Sequence, residues 1–109
     1  MEQERSGHLA VSSSDFVEAA ETLAMLGSPI RIQLMWVLSD GPRDVTGLSE
    51  AIGQPMTTTS HHLRRMRAAG LITSHADGRR QVYTVDDPHL IELARQSVEH
   101  HADLRLRGR

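Results

Sequence analysis

Between Asp44 and Val85 the chain changes its hydrophobic period once, and that change restricts its possible folds more than any other feature. Val45, Leu48, Ala51 and Ile52 recur at helical spacing behind Asp44, a residue suited to cap a helix N-terminus. Gly53-Gln54-Pro55 interrupts the pattern. A second helical segment then runs from about Met56 to Ala69, with Gly70 where a left-handed residue closes a helix. Beyond Gly70 the period becomes two: Leu71-Ile72-Thr73-Ser74-His75 and Arg79-Arg80-Gln81-Val82-Tyr83-Thr84-Val85 flank Ala76-Asp77-Gly78, which is a hairpin signal.

The flanking segments are helical. Residues 1 to about 12 mix charge, Gly and Ser without apolar periodicity and predict a disordered arm. Ser12-Ser13-Ser14-Asp15 supplies capping side chains ahead of an apolar stripe of Phe16, Val17, Ala20, Leu23 and Ala24, which Gly27 ends. Ser28 and Pro29 open a second helix whose Ile30, Leu34, Trp36, Val37 and Leu38 are apolar on most sides, so it is expected to be central. Asp86-Asp87-Pro88 launches a last helix through about Asp103. The order predicts a mainly α winged helix-turn-helix with about five helices and a two-stranded wing. One domain is expected over residues 13–104, for DNA binding and dimerisation, with a flexible tail at 105–109; 109 residues suffice for a single core.

No apolar run approaches the ~20 residues of a membrane span, and Met1-Glu2-Gln3-Glu4-Arg5 lacks the order of a signal peptide, so a cytoplasmic protein without a membrane partner is expected. The absence of cysteine excludes disulfides, thiolate metal ligands and thiol redox switching. The formal net charge of −2 does not suggest a nucleic-acid binder, but its distribution does. Arg64, Arg65, Arg67, Arg79 and Arg80 concentrate in the middle, whereas acids collect at Glu2 to Glu21 and Asp86 to Asp103.

On the fourth helix Thr59, Leu63 and Met66 form one stripe, which should face the core. The opposite side then presents Thr57, Thr58, Ser60, His61, Arg64 and Arg65. Short donors and acceptors of this kind reach base edges, and guanidiniums reach phosphate. An ordinary basic surface helix would more often mix Glu and Lys, yet no acid occurs from residue 51 to 76. Arg79 and Arg80 beside the hairpin turn extend the same surface towards a phosphate backbone or a narrow minor groove.

The blocks Leu26-Gly27-Ser28-Pro29-Ile30-Arg31, Thr59-Ser60-His61-His62-Leu63-Arg64-Arg65-Met66-Arg67-Ala68-Ala69-Gly70-Leu71-Ile72 and Asp77-Gly78-Arg79-Arg80-Gln81-Val82-Tyr83 resemble the ArsR/SmtB family of winged-helix metal-responsive regulators, over roughly residues 15–105. The resemblance implies a transcriptional regulator rather than an enzyme. It implies a homodimer on an inverted-repeat operator, in most members repressing until an inducer binds, with no small-molecule substrate.

Asp87, His89, His100 and Asp103 on the last helix are ligand types suited to Zn2+, Ni2+ or Co2+. At ~100° per residue His89, His100 and Asp103 share a face, but the two histidines are ~16 Å apart along the axis, so one chain cannot close a site around one ion. Two such helices antiparallel across a two-fold axis would pair Asp87 and His89 of one chain with His100 and Asp103 of the other. The family's fifth-helix site follows Asp-x-His, ten residues, then His-x-x-His or Glu; Asp103 departs from the last place. The family's Cys-x-Cys site would fall near Asp44-Val45-Thr46 and is absent, so thiolate sensing of arsenite, cadmium or lead is not expected. His8 in the arm is a candidate extra ligand for a six-coordinate ion; His101 is a neighbour, and His62 and His75 are structural or surface residues. Three alternatives stand beside the sensor: Asp87 as a cap with surface histidines, the same fold without metal input, or a small zinc hydrolase built on His89 and His100.

Overall fold

The computed structural model describes residues 10–108. Five helices and a small sheet follow in the order α1 (Ser13–Leu26), α2 (Pro29–Leu38), β1 (Arg43–Asp44), α3 (Val45–Ile52), α4 (Met56–Ala68), β2 (Thr73–Asp77), β3 (Arg80–Thr84) and α5 (Pro88–Leu106). His8 and residues 1–9 of the expected arm lie outside the described residues.

Local chemistry sets the helix starts. The Ser12 N–H donates to Asp15 Oδ2 at 2.9 Å, Ser28 Oγ accepts from the Arg31 N–H, Asp44 Oδ1 from the Gly47 N–H at 2.8 Å, and Asp87 Oδ1 from the His89 N–H at 2.8 Å. Pro29 and Pro88 occupy first-turn positions where a missing N–H costs nothing. Gly53, at φ 68°, ends α3 in the left-handed conformation that lets the chain turn at once into α4.

The core gathers Leu34, Met35 and Leu38 of α2, Leu48 and Ile52 of α3, Leu63 and Met66 of α4, Leu71, Ile72, Tyr83 and Val85 around the hairpin, and Ala94 of α5. The expected central position of α2 is observed: it packs on α1, α3, α4 and α5. The outer helices differ. Along α1 only Leu26 is buried, and Phe16, Val17 and Leu23 of its apolar stripe are 70%, 59% and 54% exposed. On α5 only Ala94 is buried.

Two boundaries depart from expectation. The wing is not a lone two-stranded ribbon: β1 pairs antiparallel with β3, Arg43 opposite Tyr83 and Asp44 opposite Val82, giving a three-stranded sheet of order β1-β3-β2. The last helix continues to Leu106, past Asp103, so the expected flexible tail begins with helical residues; an Arg107–Asp103 ion pair of 3.1 Å spans the final turn.

Candidate nucleic-acid interface and metal-ligand residues

Helices α3 and α4 form the helix-turn-helix, and burial divides α4 into two faces. Thr59, Leu63 and Met66 are fully buried, as their spacing requires. Thr59 is polar and stays satisfied because its hydroxyl donates to the Pro55 carbonyl at 3.0 Å. Thr57, His61, Arg64 and Arg65 are exposed, and Thr58 and Ser60 are half-buried. Arg64 and Arg65 have no carboxylate partner among the described residues. Pro55, at the N-cap of α4, offers no side-chain acceptor, so the first-turn amides remain available to an anion.

His61 and His62 are adjacent, but their environments differ. Their rings meet edge to face, with centroids 5.6 Å apart. His62 turns inward, where its Nδ1 lies 3.4 Å from Arg31 Nη1, and Arg31 Nε donates in turn to the Met25 carbonyl. A guanidinium only donates, so Nδ1 must accept, which requires a neutral ring with its proton on Nε2. Burial first, then the charges of Arg31, His61 and Arg65, hold the His62 pKa below the ordinary histidine value. This links the end of α1 through α2 to the recognition helix, and of the structural or surface roles expected of His62 it favours the structural one.

The wing is fastened to that helix. Ser74 Oγ on β2 accepts from Arg67 Nη1 of α4 at 2.8 Å and from Gln81 Nε2 of β3 at 2.9 Å. The strands pair from Thr73 opposite Thr84 to Asp77 opposite Arg80, leaving Gly78 and Arg79 as a two-residue loop. Gly78 has φ 64° and among the described residues no non-glycine residue has positive φ, so Arg79 does not, as a type II′ turn requires. The two wing arginines therefore differ. Arg79 is at the tip without a carboxylate partner among the described residues, whereas Arg80 Nε lies 3.4 Å from Asp44 Oδ2 and its Nη2 3.7 Å from Asp77 Oδ2. Both arginines are expected on the DNA-facing surface; Arg80 also braces β3 against β1 through its ion pair with Asp44. Ser74 and Asp44 carry this geometry. Sequence reasoning cast Asp44 only as a cap and missed Ser74, because both partnerships are non-local.

The proposed metal ligands lie at two places on α5. Asp87 caps the helix and His89, with a side chain 96% exposed, follows two residues later with Nδ1 3.5 Å from Asp87 Oδ1. His100 and Asp103 lie about three turns further on; the His100 ring meets His101 edge to face at 5.0 Å, and Asp103 Oδ2 pairs with Arg107. Among the described residues no three His, Cys, Asp or Glu side chains converge on one point. The donor set nonetheless fits a borderline cation, since each imidazole has a ring nitrogen to offer and each carboxylate a second oxygen.

The arsR family of bacterial regulatory proteins matches residues 28–74, from the start of α2 into β2. The HTH-type transcriptional regulator NmtR of Mycobacterium tuberculosis is 35% identical over 96 residues, 88% of this chain and 80% of that protein. The solution structure of apo-NmtR superposes with a TM-score of 0.70 at 32% identity, covering 94% of this chain and 87% of that one. The homodimeric winged helix-turn-helix DNA-binding domain Mb0332 from Mycobacterium bovis superposes with a TM-score of 0.73 at 25% identity, covering 94% and 96%. These relatives are regulators and not enzymes, which sets the hydrolase alternative aside. On this similarity and on its five-helix winged architecture, the chain belongs to the ArsR/SmtB family of winged helix-turn-helix regulatory proteins.

Proposed function

We propose that the protein is a cytoplasmic, metal-responsive transcriptional repressor that binds an inverted-repeat operator as a homodimer. Zn2+ or Ni2+, with Co2+ as a further candidate, would be held by Asp87 and His89 of one chain and His100 and Asp103 of the other. The bases would be read by Thr57, Thr58, Ser60 and His61, with Arg64, Arg65 and Arg79 on phosphate and Arg80 positioning the wing. The observation that carries the DNA reading is a recognition helix with a polar and cationic outer face and no acid between residues 51 and 76.

Dimerisation draws support from the apolar surface that the described residues of one chain leave uncovered. Phe16, Val17 and Leu23 of α1 and Leu93 of α5 are exposed, and Leu23, Leu26, Ile32, Leu93 and Ala94 line a groove between the two helices. A second copy seated there removes that surface from water. The homodimeric relative Mb0332 and the ~16 Å separation of His89 from His100 point the same way. A bound cation would tie the two α5 helices together and so favour one arrangement of the reading heads. A coupling of only ~1.4 kcal/mol changes DNA affinity tenfold.

The test is to titrate Zn2+ and Ni2+ into the protein–operator complex at fixed salt, following metal binding and DNA affinity together. A metal that binds and shifts DNA affinity tenfold or more supports the proposal; bound metal with unchanged affinity removes the sensing role. One observation favours a second reading, the same regulator without metal input: Asp103 is engaged by Arg107. In that case replacing His89 and His100 leaves regulation intact.

A further inference from the structure

One side chain on the reading surface does not match its neighbours. Among the described residues the exposed large apolar side chains are Val11, Phe16, Val17, Leu23, Leu93 and Leu106, on or beside α1 and α5, together with Met56, which is 51% exposed. Met56 is the first residue of α4, preceding Thr57 and Thr58. It takes no part in the core cluster. It lies at the meeting of three shallow concavities, one shared with Thr57, Ser60 and Arg64, one with the turn around Gly53 and Pro55, and one with Arg79 and Arg80 of the wing. The Thr46 hydroxyl contacts its Sδ at 4.0 Å, a weak bond between α3 and the start of α4.

An unbranched thioether half in water gains by meeting an apolar surface, and it adapts its shape to do so. The first residues of a recognition helix are those that meet base edges. Only one base presents an apolar group in the major groove, the C5-methyl of thymine. Among the other outward residues of α4 only Thr57 and Thr58 carry an apolar group, one methyl each on a short branched side chain, and the rest supply hydroxyl, imidazole and guanidinium groups, so Met56 offers the largest and most adaptable apolar surface there.

We propose that Met56 reads the C5-methyl group of one thymine in each operator half-site, a role that rests on the DNA-binding function proposed above. Met56 is thus a specificity residue for base identity, distinct from the arginines that hold phosphate.

The test begins with selection of operator duplexes from a random pool by the full chain, with and without added Zn2+. Each thymine of the selected site is then replaced singly by deoxyuridine, which removes only the methyl. Affinities at fixed salt are compared for wild type, Met56→Ala and Met56→Gln, with circular dichroism and urea midpoints to verify folding. At one thymine per half-site, deoxyuridine should weaken wild-type binding about fourfold, the order of one methyl withdrawn from an apolar contact. The same replacement should change either variant less than about 1.5-fold. Glutamine keeps the length of the side chain, so it separates loss of apolar contact from loss of bulk. The assignment is overturned if no thymine responds, or if the variants respond to every replacement as wild type does. A selection yielding no preferred sequence instead removes the DNA-binding function, and the role of Met56 with it.

Discussion

The different surroundings of Arg79 and Arg80 predict different contributions to the salt dependence of DNA binding. Arg80 is one guanidinium against two carboxylates, Asp44 and Asp77, so its immediate surroundings sum to +1 − 2 = −1. Replacing Arg80 by Gln and Asp77 by Asn together leaves 0 − 1 = −1, the same local charge. Arg79 has no such compensation. Each phosphate neutralised contributes about −0.9 to the slope of log affinity against log salt. Arg79→Gln in both chains of a dimer should therefore make the slope less negative by about 1.8, so that wild type loses about 12-fold more affinity than the variant between 50 and 200 mM salt. The Arg80→Gln/Asp77→Asn double variant should change the slope by less than about 0.3 per chain. Fluorescence anisotropy on a fixed operator across that salt range measures both. A slope change in the double variant equal to that of Arg79→Gln would refute the assignment of Arg80 as a brace.

Leu63 is fully buried within the core cluster, so Leu63→Ala should cost about 2–5 kcal/mol in urea unfolding. Thr57→Ala, on the exposed face of the same helix, should stay within about 0.5 kcal/mol, and equal losses would contradict the two-faced helix. His62 has a folded pKa below its ordinary 6.5, so the unfolded chain binds more protons as pH falls towards that value. The stability attached to a neutral His62 is present above pH 6.5 and is lost as pH falls through the unfolded and then the folded pKa. Wild type should thus lose more stability than His62→Gln when urea midpoints are compared at about pH 7.5 and 5.5, and parallel losses would argue against the Arg31 contact. For the metal ligands, His89→Ala and His100→Ala chains are each expected to bind little metal alone. Their equimolar mixture should recover about a quarter of wild-type stoichiometry, because half the dimers are mixed and each restores one of two sites. No recovery on mixing excludes a site shared between chains.

Most helix starts were legible because they depend on near neighbours. Asp44 and Asp87 each bond an amide within three residues of themselves, and Pro29 and Pro88 act through their own ring. The buried stripe of α4 was equally legible, since helical spacing alone brings Thr59, Leu63 and Met66 together. β1 was not, because a two-residue strand has no period to detect and exists only through its pairing with Tyr83 and Val82 some forty residues on. The pairing of Arg80 with Asp44 escaped for the same reason. The stripe of α1 was visible as a pattern, but the pattern does not say what covers it, and among the described residues nothing does so for Phe16 or Val17.

Asp44 combines three tasks in one residue: it starts α3, it belongs to the sheet edge, and it holds Arg80. Asparagine there would preserve the first task and weaken the third, so position 44 tolerates fewer replacements than a simple helix cap. There is also a mechanical consequence. With Asp44 clamping β3 from one side and Ser74 tying α4 to β2 and β3 from the other, the wing is braced on both sides. In the dimer proposed above, the helix-turn-helix and its wing would turn together as a single stiff jaw, and a bound metal would adjust the gape between two jaws, not the shape of either.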